Sequence, residues 1–229
     1  MPFLVNLRYD KDASMQYLRD IYNSVLLKDV VQRNNIRDVE LLERMILYLL
    51  DNVGHSFSAR SISNYLKQEN RKVSAETILN YIKACCDAYL FIKLRREDLQ
   101  GKKILSVNEK YYSVDHGLRE SILGSNTRNI DQVLENIVCM ELLRRGYTVT
   151  IGKNGEKEID FIASKNKDKL YIQVTYLLAG SETIEREFGI YDSIRDHYPK
   201  YVLSLDEFDM SRNGIKHLNI RDFLLSKEF

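Results

Sequence analysis

The chain of 229 residues carries 34 Lys and Arg residues against 33 Asp and Glu residues, a formal net charge of +1. Its content of 44% hydrophobic and 29% charged residues excludes a collagen-like repeat, a small disulfide scaffold and disorder over most of the length. The longest apolar run, Met45–Leu50, is far shorter than the roughly 20 residues that a membrane-spanning helix needs. The sequence therefore predicts a cytoplasmic protein without a membrane partner.

The first part of the chain carries apolar residues at helical spacing. The pattern predicts helices over residues 17–31 and 39–53, a third helix from Ser58 and a fourth from Ser74. Ser74 is a favourable N-cap, because its hydroxyl can accept a hydrogen bond from the free amides of the first turn. We therefore expect a mostly helical region before residue 90.

The pattern then changes to the alternation that is typical of strands. It predicts a β-hairpin of Leu90–Leu94 and Lys103–Val107 around a turn at Gln100–Gly101. Three helices followed by a hairpin is the order of a winged helix-turn-helix. We assign this domain to residues 36–118.

Basic charge is concentrated in this region, since residues 58–112 hold 11 Lys and Arg and 6 Asp and Glu, a net charge of +5. A DNA-binding domain needs such a surface, although Glu76 near the start of the second helix of the motif would repel phosphate. The predicted nucleic-acid-binding residues are Lys72, Asn80, Lys83, Arg95, Arg96, Lys102 and Lys103. Winged helices also serve as protein-binding modules, so a protein partner is the alternative.

The elements after residue 118 alternate in an order that predicts an α/β domain with a mixed sheet over residues 119–229, and an α+β fold overall. The predicted elements are a helix at Ile130–Gly146, strands at Tyr147–Ile151, Glu158–Ala163 and Lys169–Thr175, a helix of about 15 residues from Ser181, a strand at Tyr201–Leu205 and a helix at Ile220–Leu225. The charged residues of the helix from Ser181, including Glu187, predict a solvated face.

Three side chains of this domain are candidates for a common site: Glu135 on the first helix, Asp160 on the second strand and Gln173 on the third. Residues i and i+2 of a strand point to one side, so Gln173 and Thr175 face together, and a hairpin would bring Asp160 beside them. Such oxygens suit Mg²⁺, which could activate a water and neutralise charge on a phosphate. The alternative is structural: Asp160 caps a turn or pairs with a nearby lysine.

The arrangement resembles the PD-(D/E)xK nuclease fold, whose core is a helix, a three-stranded meander, a helix and a strand. In that family an acidic residue on the first helix, an Asp on one strand and a Glu/Gln-x-Lys on the next form the site. The resemblance implies that Glu135, Asp160 and Gln173 are catalytic and hold the metal, but Thr175 stands in place of the motif lysine. That lysine would position the attacking water and stabilise charge on the phosphate.

The chain also resembles the C-terminal region of a bacterial and archaeal family of AAA-type ATPases, in which a winged helix precedes this nuclease-like fold. The resembling segments are Lys110–Arg119, Leu134–Val138, Glu158–Phe161 and Tyr171–Thr175. The resemblance implies a C-terminal fragment in which residues 1–35 are the helical remainder of the ATPase module. No G-x-x-x-x-G-K-[ST] loop occurs in the chain, so it should not hydrolyse ATP by itself.

Three functions follow from these resemblances. The first is a module that binds DNA or a partner through a degenerate nuclease fold and needs no cofactor. The second is an active Mg²⁺-dependent DNA endonuclease. The third is a protein-binding module that docks on the ATPase domain of the full-length protein. DNA affinity that falls steeply with salt would favour the first two functions.

Overall fold

The computed structural model describes residues 6–8, 10–68, 71–101, 103–124 and 129–227, with the backbone alone at Lys103 and residues 105–108. The chain forms two compact units: unit 1 comprises residues 1–93 and 110–128, and unit 2 comprises residues 94–109 and 129–229. The tip of one hairpin therefore belongs to unit 2, whereas the ends of its strands belong to unit 1. The domain limits inferred from the sequence stay predictions.

Unit 1 is mostly helical. Its helices are α1 (Lys11–Val25) with a π-helical continuation (Leu26–Gln32), α2 (Val39–Asp51), α3 (Ala59–Gln68), α4 (Ala75–Asp87) and α5 (His116–Leu123), and the strands β1 (Phe91–Asp98) and β2 (Lys103–Ser113) lie between α4 and α5. Asp10, Asp38 and Ser74 cap α1, α2 and α4, each accepting the amide three residues later at 2.8–3.0 Å. The N-cap predicted at Ser74 is confirmed.

The core of unit 1 is built from the apolar faces of these helices. Val30, Leu42, Ile46, Leu49 and Ile78 are each at most 1% exposed. Three of them lie on α2, at the spacing that keeps one helix face turned toward the core. The stripe that the sequence predicts within residues 39–53 is therefore the buried face of this helix.

Unit 2 is built on a mixed sheet. Its elements are α6 (Ile130–Arg144), β3 (Thr148–Asn154), β4 (Lys157–Lys165), β5 (Asp168–Val174), α7 (Ser181–Gly189), β6 (Lys200–Ser204), β7 (Lys216–Asn219) and α8 (Ile220–Leu225). β3, β4 and β5 form an antiparallel meander, and β6 and β7 join it in parallel. The strand order of the complete sheet is β2-β1-β3-β4-β5-β6-β7. The predicted α+β class with a mixed sheet is confirmed.

The hairpin tip extends the sheet of unit 2. Residues 96–98 of β1 pair in parallel with residues 151–153 of β3. The carboxylate of Glu97 accepts a hydrogen bond from the hydroxyl of Thr150 at 3.1 Å and from Nζ of Lys169 at 2.7 Å. The predicted strand Leu90–Leu94 continues to Asp98 in the structure, and the alternating pattern did not specify which strand becomes its neighbour.

α7 ends at Gly189, well short of the length predicted from Ser181. Ile190 and Tyr191 follow directly and are 4% and 3% exposed, and the hydroxyl of Tyr191 donates to the carbonyl of Tyr201 at 2.7 Å. The chain leaves the helix and packs both side chains inward.

Candidate functional site

Asp160 and Gln173 lie opposite each other at one end of the β4–β5 hairpin. At this end of the hairpin, Phe161 and Ile172 are the last residues of the two strands that pair with each other in the sheet. Beyond them, the amide of Asp160 donates to Oε1 of Gln173 at 3.2 Å, and the amide of Val174 donates to Oδ2 of Asp160 at 2.8 Å. The structure thus brings two predicted site residues together, with each side chain accepting a hydrogen bond from the opposite strand's backbone.

Thr175 occupies the position at which the nuclease motif has lysine. The residue is 3% exposed, and its amide donates to the carbonyl of Leu203 at 3.0 Å. Gln173, two residues earlier, is 9% exposed. The Thr175 hydroxyl can donate or accept a hydrogen bond, but it cannot supply the positive charge of an ammonium group.

Glu187 of α7 is a buried carboxyl group at the same end of the sheet. Its side chain lies near that of Gln173, and Oε1 accepts a hydrogen bond from Nε of Arg186 at 2.8 Å. Oε2 is buried and has no hydrogen-bond partner among the residues that the structure describes. Burial raises the pKa of Glu187, against the opposing effect of the neighbouring side chains of Arg186 and Gln173.

The expectation that Glu187 belongs to a solvated face is wrong, since the residue is 3% exposed. Ile184 lies three residues before Glu187 and Tyr191 lies four residues after it, the spacing that marks one face of a helix in a sequence, and Phe188 is the next residue along the chain. Phe188 and Tyr191 are buried in the core of unit 2, and Ile184 packs against that core. This spacing was the sequence signal that could have identified Glu187 as a buried acid.

Further ionisable groups act on this end of the sheet. Burial raises the pKa of Tyr191 well above its ordinary value, and the charges of Asp160 and Glu187 raise it further. The pKa of Arg186 is raised mainly by its hydrogen bond to Glu187, with smaller contributions from Asp131 and Asp160. Tyr191 therefore stays a neutral phenol, and Arg186 stays the cation of the group.

Glu135, the third predicted site residue, lies on α6 with its side chain partly exposed. One turn earlier, Oδ1 of Asp131 accepts a hydrogen bond from the amide of Tyr176 at 2.7 Å and links α6 to the end of β5. Within the described part of the chain, no group of three or more His, Cys, Asp and Glu side chains is arranged to hold a metal ion. Oδ2 of Asp160 and Oε1 of Gln173, two oxygens of the predicted Mg²⁺ site, each accept a hydrogen bond from a backbone amide.

Three of the predicted nucleic-acid-binding residues, Lys72, Asn80 and Lys83, lie in unit 1 and are exposed. Asn80 and Lys83 line a groove of about 490 Å³ beside α4. Lys83 pairs with Asp87 one turn later, and Glu76 is exposed on the same helix. The exposed face of α4 therefore presents two carboxylates and a single lysine.

The other predicted nucleic-acid-binding residues lie on the hairpin tip in unit 2. Arg95 is exposed, whereas the side chain of Arg96 is 14% exposed and pairs with Glu158 of β4. Lys102 lies outside the described residues, and so does the side chain of Lys103. The ion pair explains why Arg96 points to the sheet rather than to solvent.

The chain is similar to two uncharacterized proteins. One, from Haemophilus influenzae, is 37% identical over 217 residues, which cover 94% of this chain and 54% of the relative. The other, uncharacterized protein MJ1544 of Methanocaldococcus jannaschii, is 31% identical over 198 residues, which cover 84% of this chain and 43% of the relative. The chain thus spans about half the length of these curated relatives. No solved structure matches it.

None of the described helices combines the length and the apolar character that crossing a membrane requires. The family model described as "Domain of unknown function (DUF8612)" matches residues 1–129, which is more than half of the chain. The match ends beside residue 128, the last residue of unit 1. The chain therefore belongs to the DUF8612 family.

Proposed function

We propose that the chain is the C-terminal, non-ATPase part of a cytoplasmic AAA-type ATPase and that it binds nucleic acid without cleaving it. In this proposal residues 36–118 form a winged helix, and residues 119–229 form a degenerate PD-(D/E)xK domain. The order of elements in unit 2 supports the second assignment, because a helix, an antiparallel meander, a helix and a parallel strand follow one another as in that fold.

The proposed lack of nuclease activity rests on one observation: the side chains of Asp160 and Gln173 accept hydrogen bonds from backbone amides. A metal-dependent nuclease needs carboxylate oxygens directed at a cation, and it needs a group that activates water. Thr175 lacks the charge for the second task, and burial favours the neutral form of Glu187. These side chains fit a role in holding the end of the hairpin together.

Incubation of supercoiled plasmid and single-stranded DNA with Mg²⁺ or Mn²⁺, beside an Asp160→Ala variant, tests this proposal. We expect the wild-type chain to cut no more than the variant. Metal-dependent cutting that disappears in the variant would instead establish an endonuclease, with Asp160 as a catalytic residue.

Nucleic-acid binding is supported by the net charge of +5 over residues 58–112, in a chain whose total formal charge is only +1. Contacts with phosphate release counterions, so the logarithm of the affinity should fall linearly with the logarithm of salt between about 50 and 200 mM. Anisotropy of a fluorescein-labelled DNA duplex measures this dependence. Absence of DNA affinity, together with binding to the ATPase domain, would identify a protein-binding module.

The ATPase context is supported by the lengths of the two relatives. About half of each relative lies outside the part that matches this chain, which leaves room for an ATPase core. We expect a G-x-x-x-x-G-K-[ST] motif in that half of the Haemophilus influenzae relative. The whole relative should hydrolyse ATP, whereas the present chain should not. A relative without a phosphate loop would refute the ATPase context and leave the binding proposal standing.

A further inference from the structure

A groove of unit 2 is lined by four cationic side chains. Its volume is about 580 Å³, and its cations are Arg144 and Arg145 at the end of α6, Lys165 on β4 and Lys227 after α8. No carboxylate is among its lining residues in the described part of the chain. We propose that this groove binds the phosphate backbone of duplex DNA, an inference that rests on the nucleic-acid-binding function proposed above.

Arg145 stabilises the wall of the groove, and its side chain is largely buried. Its side chain is 10% exposed, and its guanidinium lies 4.7 Å from the centroid of the Phe223 ring. The same guanidinium donates to the carbonyl of Phe223 at 2.7 Å and to that of Ser226 at 2.9 Å. These contacts tie the end of α8 to the end of α6 and fix the backbone next to Lys227.

Glu141 compensates only part of the positive charge. Its carboxylate accepts from Nε of Arg144 and Nε of Arg145, both at 2.6 Å, and the bond from Arg144 is the main cause that lowers the pKa of Glu141. Among the described residues, the four lining cations together with the carboxylate of Glu141 carry a net charge of +3. The side chain of Arg144 is 69% exposed, and a guanidinium has five N–H donors, so donors remain for a phosphate.

Lys165 is held in position by the fold. Its Nζ donates to the carbonyl of Arg145 at 2.9 Å and lies 5.6 Å from the centroid of the Tyr147 ring. The partial negative charge at the end of α6 favours cations at this place. Because the lysine is already positioned, binding a phosphate costs less side-chain entropy than it would for a mobile lysine.

The groove suits a polyanion better than the face of α4 does. The exposed polar residues of α4 combine Lys83 with the carboxylates of Glu76 and Asp87, which repel phosphate. Duplex DNA carries about one negative charge for every 1.7 Å of its axis. A cluster of cations that includes no lining carboxylate attracts such a dense negative charge without local repulsion. The location therefore differs from the one that the sequence predicts.

Anisotropy of a labelled DNA duplex, measured with the whole chain over a salt series, tests the location. We expect the variant Arg144→Gln/Lys165→Gln/Lys227→Gln to bind at least tenfold more weakly than wild type. Its slope of log affinity against log salt should be lower by about 3, since each lost phosphate contact removes about 1. The double variant Lys165→Gln/Lys227→Gln keeps the bonds of Glu141 and should lower the slope by about 2.

A matched control removes the same three charges from exposed positions of unit 1, as Lys11→Gln/Lys28→Gln/Arg33→Gln. We expect less than a threefold loss of affinity in this control. An equal loss in control and groove variants, or a loss that appears only in Lys72→Gln/Lys83→Gln, would overturn the location. Absence of DNA binding by the wild-type chain would overturn the nucleic-acid-binding function itself, and the two failures are thus distinguishable.

Discussion

At the scale of single residues, the effect of Asp160→Ala on stability distinguishes a structural role of this side chain from a catalytic one. We expect Asp160→Ala to lower the free energy of unfolding by about 1–3 kcal/mol, because the amide of Val174 loses its acceptor in a buried place. Acids gathered for a metal repel each other, and their removal commonly stabilises a protein. Urea denaturation measures the change and its sign.

Two further substitutions serve as controls for Asp160. Asp160→Asn keeps an oxygen that can accept the amide, so it should cost less than Asp160→Ala. Glu156→Ala removes a carboxylate from an exposed position of unit 2 and should change the free energy of unfolding by at most about 0.5 kcal/mol. A stabilised Asp160→Ala variant would contradict the structural role.

Glu187 predicts a dependence of stability on pH. In the folded protein its pKa lies above the ordinary value of 4.5, so between these two values the folded chain binds more protons than the unfolded chain. The contribution of this group to stability is therefore complete at low pH and is lost as pH rises through the folded pKa. We expect the stability of Glu187→Gln relative to wild type to increase as the pH rises above 4.5.

Urea denaturation at several pH values measures this difference for Glu187→Gln. Glu185→Gln, which replaces an exposed carboxyl group of the same helix, is the matched control. A relative stability of Glu187→Gln that stays constant with pH would show that the carboxyl group titrates normally in the folded chain.

At the scale of elements, Arg145 connects α6 to α8. We expect Arg145→Ala to cost about 1.5–3 kcal/mol, since a charged donor to two carbonyls is lost and the packing on the Phe223 ring is removed. Hydrogen exchange should accelerate in α8 more than in α6. Arg221→Ala, at an exposed position of α8, should leave the exchange unchanged; equal acceleration in both variants would contradict the prediction.

The same scale shows where the sequence pattern was sufficient. The helix predicted at Ile220–Leu225 has those bounds in the structure, and the three strands of the meander lie where alternation predicted them. These elements depend on contacts between sequence neighbours. α7 ended earlier than predicted because the burial of Ile190 and Tyr191 is decided by distant strands.

At the scale of the whole molecule, β1 supplies a neighbour for β3 in the sheet of unit 2. We expect a fragment of residues 129–229 to associate or aggregate, because β3 would present an unpaired edge. Fusing residues 91–101 to this fragment through a flexible linker should restore a monomer. Analytical ultracentrifugation measures the difference, and a monomeric unfused fragment would contradict it.

The sequence by itself determined the class of the fold, the Ser74 cap, most of the elements and the proximity of Asp160 to Gln173 once β4 and β5 pair, but it missed the helix α5 and the strand β7. Periodicity, capping and short hairpins are local, so neighbouring residues encode them. Only the tertiary structure decided that Glu187 is buried beside Gln173 and that β1 joins β3. Those contacts connect residues far apart in the chain, and packing and the need to satisfy buried polar groups select them rather than any local preference.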